Sequence, residues 1–325
     1  MEHLEPLDMV VSIINYRTAA LTCACLATVV PQVRGRAARV VVVDNASGDG
    51  SDDEIADWIA REGAGDCVTL IRSQRNSGFS GGHNQTIEAF NARAYFILNS
   101  DAYLREGCID ALMVALEAHP RAGLIGTRLE AEDGTAQPTF FRMPGAMSEM
   151  IRAARTGFVT RALRRFDLPL PNPPQSAEIG WASFAAIVVT RQVIEAIGPM
   201  DDGYFLYFED TDYGVRTKRA GFDIAYAPDA RVVHYCGGSS PVESLNAARK
   251  RLPAYYYASR TRLFYKTHGR MGLLAANLAW HAGRVIAAAR VLVGGSYPRA
   301  NENEARDIWT NFLDPLGDPK APSGR

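Results

Sequence analysis

Arg39-Val40-Val41-Val42-Val43-Asp44-Asn45 is the stretch that decides the fold. Four consecutive valines leave no side of a strand for water, so both faces must be covered by other parts of the chain. Strands of that kind belong to parallel sheets flanked by helices. Outward from it, Met9-Val-Val-Ser-Ile-Ile-Asn15, Val68 to Arg72 and Ala94 to Leu98 are further short apolar runs of strand length. Helical segments are expected between them: Thr18 to Val30, stopping before Pro31; Ser51 to about Gly63, with Ser51 as N-cap and Glu54 as its capping-box partner; and Gly81 to Asn91. The alternation predicts an α/β chain built on a doubly wound, mostly parallel sheet. Ligands of such sheets lie beyond the carboxyl ends of the strands, so the polar residues that follow each strand are the candidates for chemistry.

The second half is less regular. Glu106 to His119 and Thr211 to Ala220 read as helices, and Ala122 to Thr127, Ala186 to Thr190 and Asp223 to Ala227 as strands. Arg142 to Arg165 has apolar residues at 147, 150, 151, 154 and 158, which is helical spacing. Pro169 to Pro174 is a turn or linker, and the Gly/Pro-rich tail from Asp314 reads as frayed.

Composition is that of a soluble globular protein, with 47% hydrophobic and 22% charged residues. The five cysteines, Cys23, Cys25, Cys67, Cys108 and Cys236, lack paired metal spacing and suggest reduced thiols in a cytoplasm. Met1 to Asp8 has three acids and no apolar core, so no signal peptide is expected there. The net charge of −1 conceals basic blocks: ten Lys/Arg and no acid from Ser244 to Asn301, and six Arg against Glu149 alone from Arg142 to Arg165. Such blocks suit an anionic partner, a membrane surface or a phosphate-bearing acceptor. Nucleic acid ranks below these because no nucleic-acid motif is present. Met271 to Val293 is almost wholly apolar or small, but its longest run without Lys/Arg is 13 residues, too short to span a bilayer. It reads as a helix lying on a membrane surface, with a helix packed on the protein body as the alternative.

Four clusters follow strands. Asp44-Asn45-Ala-Ser47 ends the valine strand, where an acid can hold a ribose hydroxyl or base edge; a plain turn explains it too. In Arg75-Asn76-Ser-Gly78-Phe-Ser-Gly81-Gly82-His83-Asn84, glycines would let backbone approach a diphosphate, although a flexible loop has the same composition. Leu98-Asn99-Ser100-Asp101 puts a carboxylate at a strand edge, suited to a divalent cation or to a helix cap. In Tyr204-Phe-Leu-Tyr207-Phe-Glu209-Asp210-Thr-Asp212, aromatic neighbours would desolvate the acids and raise their basicity, while acids also favour a helix start. His234 is a metal or phosphate ligand on this reading, or a packed residue.

Together these segments, with Trp181, His234 and Tyr255-Tyr-Tyr-Ala-Ser-Arg260, resemble the family 2 glycosyltransferases, especially their rhamnosyltransferase-like branch, over about residues 8 to 265. The resemblance implies a GT-A fold, a Rossmann-like sheet with a C-terminal helical extension. It implies a catalytic domain over 1–245, with a nucleotide half at 1–105 and an acceptor half at 106–245, followed by a helical, basic region at 246–325. By position, Asp210 looks like the catalytic base with Glu209 beside it. Asp101 looks like the metal-binding acid of an Asp-x-Asp-type motif in which position 99 is Asn, so that His234 and diphosphate oxygens would complete the site for Mg²⁺ or Mn²⁺. Asn15, Arg17, Asp44, Asn45, Arg75, Asn76, Gly78, Gly82, Asn84, Asn99 and Ser100 fall on the nucleotide-sugar side, and Trp181, Tyr207 and Asp212 on the acceptor side. Phe184 stands where the family often has Gly-Ala soon after the Trp.

The implied reaction is an inverting transfer from a nucleotide diphosphate sugar, dTDP-rhamnose first and UDP sugars next, to a polysaccharide or polyprenyl-linked acceptor at the inner leaflet. Two alternatives have other grounds. A sugar-nucleotide pyrophosphorylase shares the sheet and the metal, but Asn15-Tyr16-Arg17 offers no glycine loop after the first strand. A non-catalytic nucleotide-sugar-binding protein needs the cleft but not the Glu209-Asp210 pair.

Overall fold

A computed structural model describes residues 6–235, 240–292 and 294–322. All four valines are wholly buried. Val40 and Val42 pack into the core on one side of the sheet, and Val41 and Val43 into the core on the other. The valine strand, β2 (Ala38–Asp44), lies between β1 (Leu7–Asn15) and β3 (Val68–Arg72), parallel to both. On the other side of β1 comes β4 (Ala92–Asn99), also parallel. The connecting helices α1 (Ala19–Val33), α2 (Ser51–Arg61) and α3 (Gly78–Ala89) cover the two faces. Among their buried residues, Leu26 and Val29 of α1 and Ile55 of α2 join the core of Val40, while Ile87 of α3 joins that of Val41.

The helix boundaries differ from the expectations for local reasons. Helix α1 continues past Pro31. A proline so close to the helix end removes only one late hydrogen bond, and Val29, Val30 and Val33, buried against the sheet, hold the last turn. Ser51 is not an N-cap: Gly50, at φ 88°, takes that position, and the Ser51 hydroxyl turns back to donate to Asp49 Oδ1 at 2.5 Å. Asp49 Oδ1 also accepts from the Ser51 backbone N–H, so Asp49 organises this helix start.

The chain then forms β5 (Ala102–Leu104), α4 (Cys108–Ala118), β6 (Ala122–Glu130) and β7 (Phe140–Phe141). Over 142–165 the helical spacing resolves into two helices, α5 (Ala146–Ala154) and α6 (Gly157–Ala162). Arg155 between them is left-handed at φ 49°, and Thr156 restarts the helix by accepting from the Val159 N–H. Next come β8 (Trp181–Ala182), β9 (Ala186–Thr190), α7 (Arg191–Ile197), α8 (Glu209–Arg219), β10 (Asp223–His234) and α9 (Val242–Ala247). The last elements are α10 (Ala254–Leu292), broken at Gly269, and α11 (Glu304–Asp307). The expected boundary between 245 and 246 falls inside α9.

The eight-stranded sheet has the order β3-β2-β1-β4-β9-β6-β10-β5. Four of its neighbouring pairs are parallel; β9 runs antiparallel between β4 and β6, and β5 antiparallel to β10. Because β9 is reversed, its first residue, Ala186, pairs with Leu98 at the edge where β1 and β2 also end. The polar segments after β1, β2 and β4 therefore meet the Ser183-Phe184-Ala185 turn.

Helix α10 lays one face on the protein body, burying Leu273, Ala276, Asn277, Trp280 and Ala287, with Gly283 against α5. Its opposite face exposes Met271, Leu278, Val285 and Leu292. The packed-helix reading describes the buried side of it; Val293 lies outside the described residues. Among the described residues, no helix is long and apolar enough to cross a membrane. The tail is docked, not frayed: Arg262 donates to the Leu316 carbonyl at 3.1 Å, and Pro322 reaches the main cavity. Cys23, Cys25, Cys67 and Cys108 are free thiols, and Cys236 lies outside the described residues.

Candidate active site

The strand ends open on a cavity of about 950 Å³, at the upper end of the size usual for small-ligand sites. Its wall brings together Arg17, Asn45, Arg75, Asn76, Gly78, Asn99, Ser100, Asp101, Tyr207, Glu209, Asp210 and His234. These come from segments up to 217 residues apart in sequence (Arg17 to His234), which only the sheet topology unites. Six other candidates lie outside the wall: Asn15, Asp44, Gly82, Asn84, Trp181 and Asp212.

The reasons are visible in their bonds. Asp44 is 4% exposed, and its carboxylate accepts from Asn15 Nδ2 at 2.7 Å, the Ser47 hydroxyl at 2.5 Å and the Ser47 N–H at 3.1 Å. Asn15 in turn accepts from the Thr18 and Thr22 hydroxyls. The pair therefore braces the turn after β2, and Asn45, Ala46, Ser47 and Gly48 of that turn face the cavity in their place. Asn84 forms a two-way clamp on the Met200 backbone, at 2.8 and 3.1 Å. Asp212 is ion-paired to Arg216 and Lys266. Trp181 donates to the Arg142 carbonyl and stacks on Phe141.

The glycines serve contacts within the protein. A side chain on Gly78 would overlap the Phe205 carbonyl, which accepts from the next N–H, that of Phe79, at 2.9 Å. Gly78 is also left-handed, at φ 71°. Gly82 makes room for Ile14. Asn45 ties this loop down: its Nδ2 donates to Asn76 Oδ1 and the Gly78 carbonyl, and its Oδ1 accepts from the Ser77 N–H. Gly78→Ala combines a backbone clash with an unfavourable φ, so it should cost on the order of 1–3 kcal/mol or more in a urea melt. An unchanged melt would mean that this contact does not hold the loop.

Asp101 follows β4, fully buried, and neither of its carboxylate oxygens accepts a hydrogen bond. His234, at the end of β10, places Nε2 3.5 Å from Asp101 Oδ1, with Asn99 Nδ2 3.5 Å from the same nitrogen. A buried carboxylate left without donors is costly unless a cation completes it. A carboxylate beside an imidazole, opening on a ligand cavity, fits a divalent cation that takes its other positions from phosphate oxygens or water. Among the described residues no group of three His, Cys, Asp or Glu could hold a metal.

Glu209 and Asp210 begin α8, after an unusual turn. Tyr207 and Phe208 are both left-handed, at φ 69° and 70°, a conformation costly for bulky side chains that redirects the chain abruptly. Burial pushes the Asp210 carboxyl up to about 6, against hydrogen bonds from Thr211 that favour the charged form. Its Oδ1 accepts from the Thr211 N–H at 2.6 Å and hydroxyl at 3.2 Å. Burial and then the neighbouring Asp210 raise Glu209 well above the usual carboxylate range. A carboxylate half-ionised near pH 6 in a cavity wall is suited to accept a proton. His83 also lines the cavity, but burial lowers it to about 3, which keeps it neutral, bonded to Ser12 at 2.7 Å.

The wall also contains residues the sequence did not single out. Tyr16 follows β1 directly, where the strand-end rule could have found it. Ser240, Glu243 and Pro253 come from the segment around α9, whose return over the cavity has no local signal. Tyr255 and Phe184, both noted in the sequence, line it too, the latter 2% exposed and edge-on to Tyr213.

A mostly parallel sheet whose strand ends share one large cavity with buried carboxylates is the GT-A architecture of nucleotide-sugar glycosyltransferases. Residues 6–258 match the family described as "Glycosyltransferase like family 2", and the chain belongs to that family. The N-acetylglucosaminyl-diphospho-decaprenol L-rhamnosyltransferase of Mycobacterium tuberculosis is 29% identical over 234 residues, covering 66% of this chain and 73% of that protein. The low-salt glycan biosynthesis hexosyltransferase Agl10 of Haloferax volcanii is 21% identical over 239 residues, 70% of this chain and 67% of its own. Among solved structures, the mannosyltransferase PcManGT of Pyrobaculum calidifontis, in complex with GDP-Man and Mn²⁺, superposes with a TM-score of 0.57 at 16% identity. The match covers 90% of this chain and 77% of that one. GalNAc-T7 with UDP, GalNAc and Mn²⁺ gives 0.54 at 14% identity, over 82% and 52%. These likenesses show the GT-A fold, and family membership sets aside the pyrophosphorylase alternative.

Proposed function

We propose that this glycosyltransferase is an inverting rhamnosyltransferase. It takes its sugar from dTDP-rhamnose, with UDP sugars next in preference, and delivers it to a polyprenyl-linked or polysaccharide acceptor at the cytoplasmic face of a membrane. The observation that carries the reading is that Asp101 and Asp210, 109 residues apart, line one cavity together with the Asn45–Asn76–Gly78 loop. The rhamnose preference leans on the 29% identical relative.

Asp210 accepts the proton of an acceptor hydroxyl as that oxygen bonds to the anomeric carbon and the bond from that carbon to the diphosphate oxygen breaks. A single displacement inverts the anomeric centre. Burial and then Asp210 itself raise Glu209 well above the usual carboxylate range, which disfavours a second negative charge beside the base. Arg17 and Arg75, both on the wall, offset charge on the diphosphate. Asp101 and His234 would hold Mg²⁺ or Mn²⁺, which when bound stabilises the departing diphosphate.

Thermal shifts test donor and cation together. A cognate nucleotide sugar at a hundred times its Kd should stabilise the fold by about 2.7 kcal/mol. The dTDP-rhamnose shift should be the largest, should shrink with EDTA, and should lose its metal dependence in Asp101→Asn. No shift with any nucleotide sugar would sink the donor reading. A metal-dependent shift that survives in Asp101→Asn would sink the cation site.

A further inference from the structure

Away from the active site, a second, smaller cavity of about 100 Å³ lies between α5, the α9 region and α10. That is roughly three times the 30 Å³ a water takes in the liquid, room enough for a compact polar group. Among the described residues four arginines line it, Arg152, Arg155, Arg249 and Arg284, and one carboxylate, Glu304. Arg152 is neutralised: it pairs with Glu149 at 2.8 Å and with Glu304. The other three are bonded only to neutral acceptors. Arg155 donates to the Arg299 carbonyl at 2.9 Å, Arg284 to the Ala153 and Pro298 carbonyls at 3.0 and 2.7 Å, and Arg249 to Asn246 Oδ1 at 3.4 Å. None of the three forms an ion pair among the described residues.

A guanidinium carries five N–H donors, and these bonds use few of them. Arg155 is exposed at the mouth of the cavity, yet partial burial and then the neighbouring Arg249 hold its guanidinium below the ordinary range; Glu304 opposes this, and Arg284 and Arg152 act with Arg249. Like charges brought this close repel one another unless an anion sits among them, and phosphate oxygens match guanidinium donors in geometry. Asn246 and Asn301 add amide groups to the wall.

We propose that this cavity binds a phosphate group, through Arg155, Arg249 and Arg284. The site is separate from the nucleotide-sugar cavity and does not depend on the transfer reaction proposed above. The two cavities share a wall: Pro253 and Tyr255 line the active site, whereas Leu252 and Tyr256 line this one. Apolar side chains stand beside it in sequence, Phe158 three residues after Arg155, and Val285 and Ile286 directly after Arg284, all exposed. A phosphate borne by a membrane lipid and a phosphate free in solution offer the same chemistry to the arginines, and the two are separable by experiment.

The full-length protein is titrated with phosphatidylcholine vesicles, with the same vesicles containing phosphatidic acid, and, by calorimetry, with inorganic pyrophosphate. The variants are Arg155→Gln/Arg249→Gln and, as a control of equal charge change outside the cavity, Arg164→Gln/Arg165→Gln. Melting temperature and nucleotide binding are measured on both, so that a folding defect is distinguished from a binding defect. Binding to phosphatidic acid vesicles that falls about tenfold or more in the cavity variant and much less in the control supports the site with a lipid as its source. Pyrophosphate binding lost in the same way, without vesicle binding, supports the site with a soluble source. Equal losses in both variants, or no binding of either probe by the wild type, overturn the proposal. Should the double variant melt far below the wild type, Arg249→Gln alone, which gives up one weak amide contact, decides between the same outcomes.

Discussion

Asp210→Asn should bind nucleotide sugar as the wild type does and transfer it roughly 10²–10⁴-fold more slowly, the range usual for loss of a general base. The amide preserves the shape and an oxygen for the Thr211 N–H, but it has no basic oxygen to take the acceptor's proton. The wild-type rate should fall as pH drops through about 6, where burial places the Asp210 titration, and the residual rate of the variant should lack that inflection. Stability should move the other way. The folded-state value lies above the ordinary aspartate value of 3.8, so folding takes up a proton between the two. The stability tied to this group is therefore complete below 3.8 and is lost as pH rises through about 6. At pH 7 the variant should melt above the wild type, and the two should converge near pH 4. A variant that transfers at the wild-type rate would remove Asp210 as the base.

Glu149→Ala should destabilise the fold by about 3–5 kcal/mol, the usual result of leaving a buried charge without its partner. Burial by itself would raise this carboxyl; Arg152 and Arg260 outweigh it and hold it down to about 2. Arg260 is 1% exposed and donates to Glu149 Oε2 at 2.7 Å and to Asn277 at 2.8 Å, which joins α5 to both parts of α10. This stability is present above the ordinary glutamate value and is lost as pH falls through 4.5 towards 2. Urea melts at neutral pH should therefore show the full difference, and melts near pH 2 little of it. Glu149→Met/Arg260→Met should recover much of the loss, because removing both charges also removes the uncompensated one. A single variant as stable as the wild type would mean that the buried pair does not hold α10 in place.

The sheet was legible because its signal is local. Val40 to Val43 can lie only in a strand covered on both faces, and β9 matches its expected span, Ala186 to Thr190, residue for residue. The helix starts were harder to read because left-handed residues set them: Gly50, Gly107 and Arg155 each decide where a helix begins or breaks. In the site, strand-end logic found the segments but not which side chain of each lines the cavity. Asp44 and Asn45 are adjacent; one braces the turn and the other lines the cavity, and that difference depends on Asn15, which is 29 residues from Asp44. The segment around α9 carried no signal, since its place over the cavity depends on α10 packing against α5.

The contact between Gly78 and Phe205 limits how this enzyme's sugar preference can be re-engineered. The Asn76–Gly78 loop of the cavity wall is fastened to the chain only five residues before Asp210, so position 78 is closed to every side chain, whatever sugar is wanted. Variation near the cavity has more freedom at Ser183, which lines it and is only partly buried, than at Phe184, whose ring is 2% exposed and packs edge-on to Tyr213.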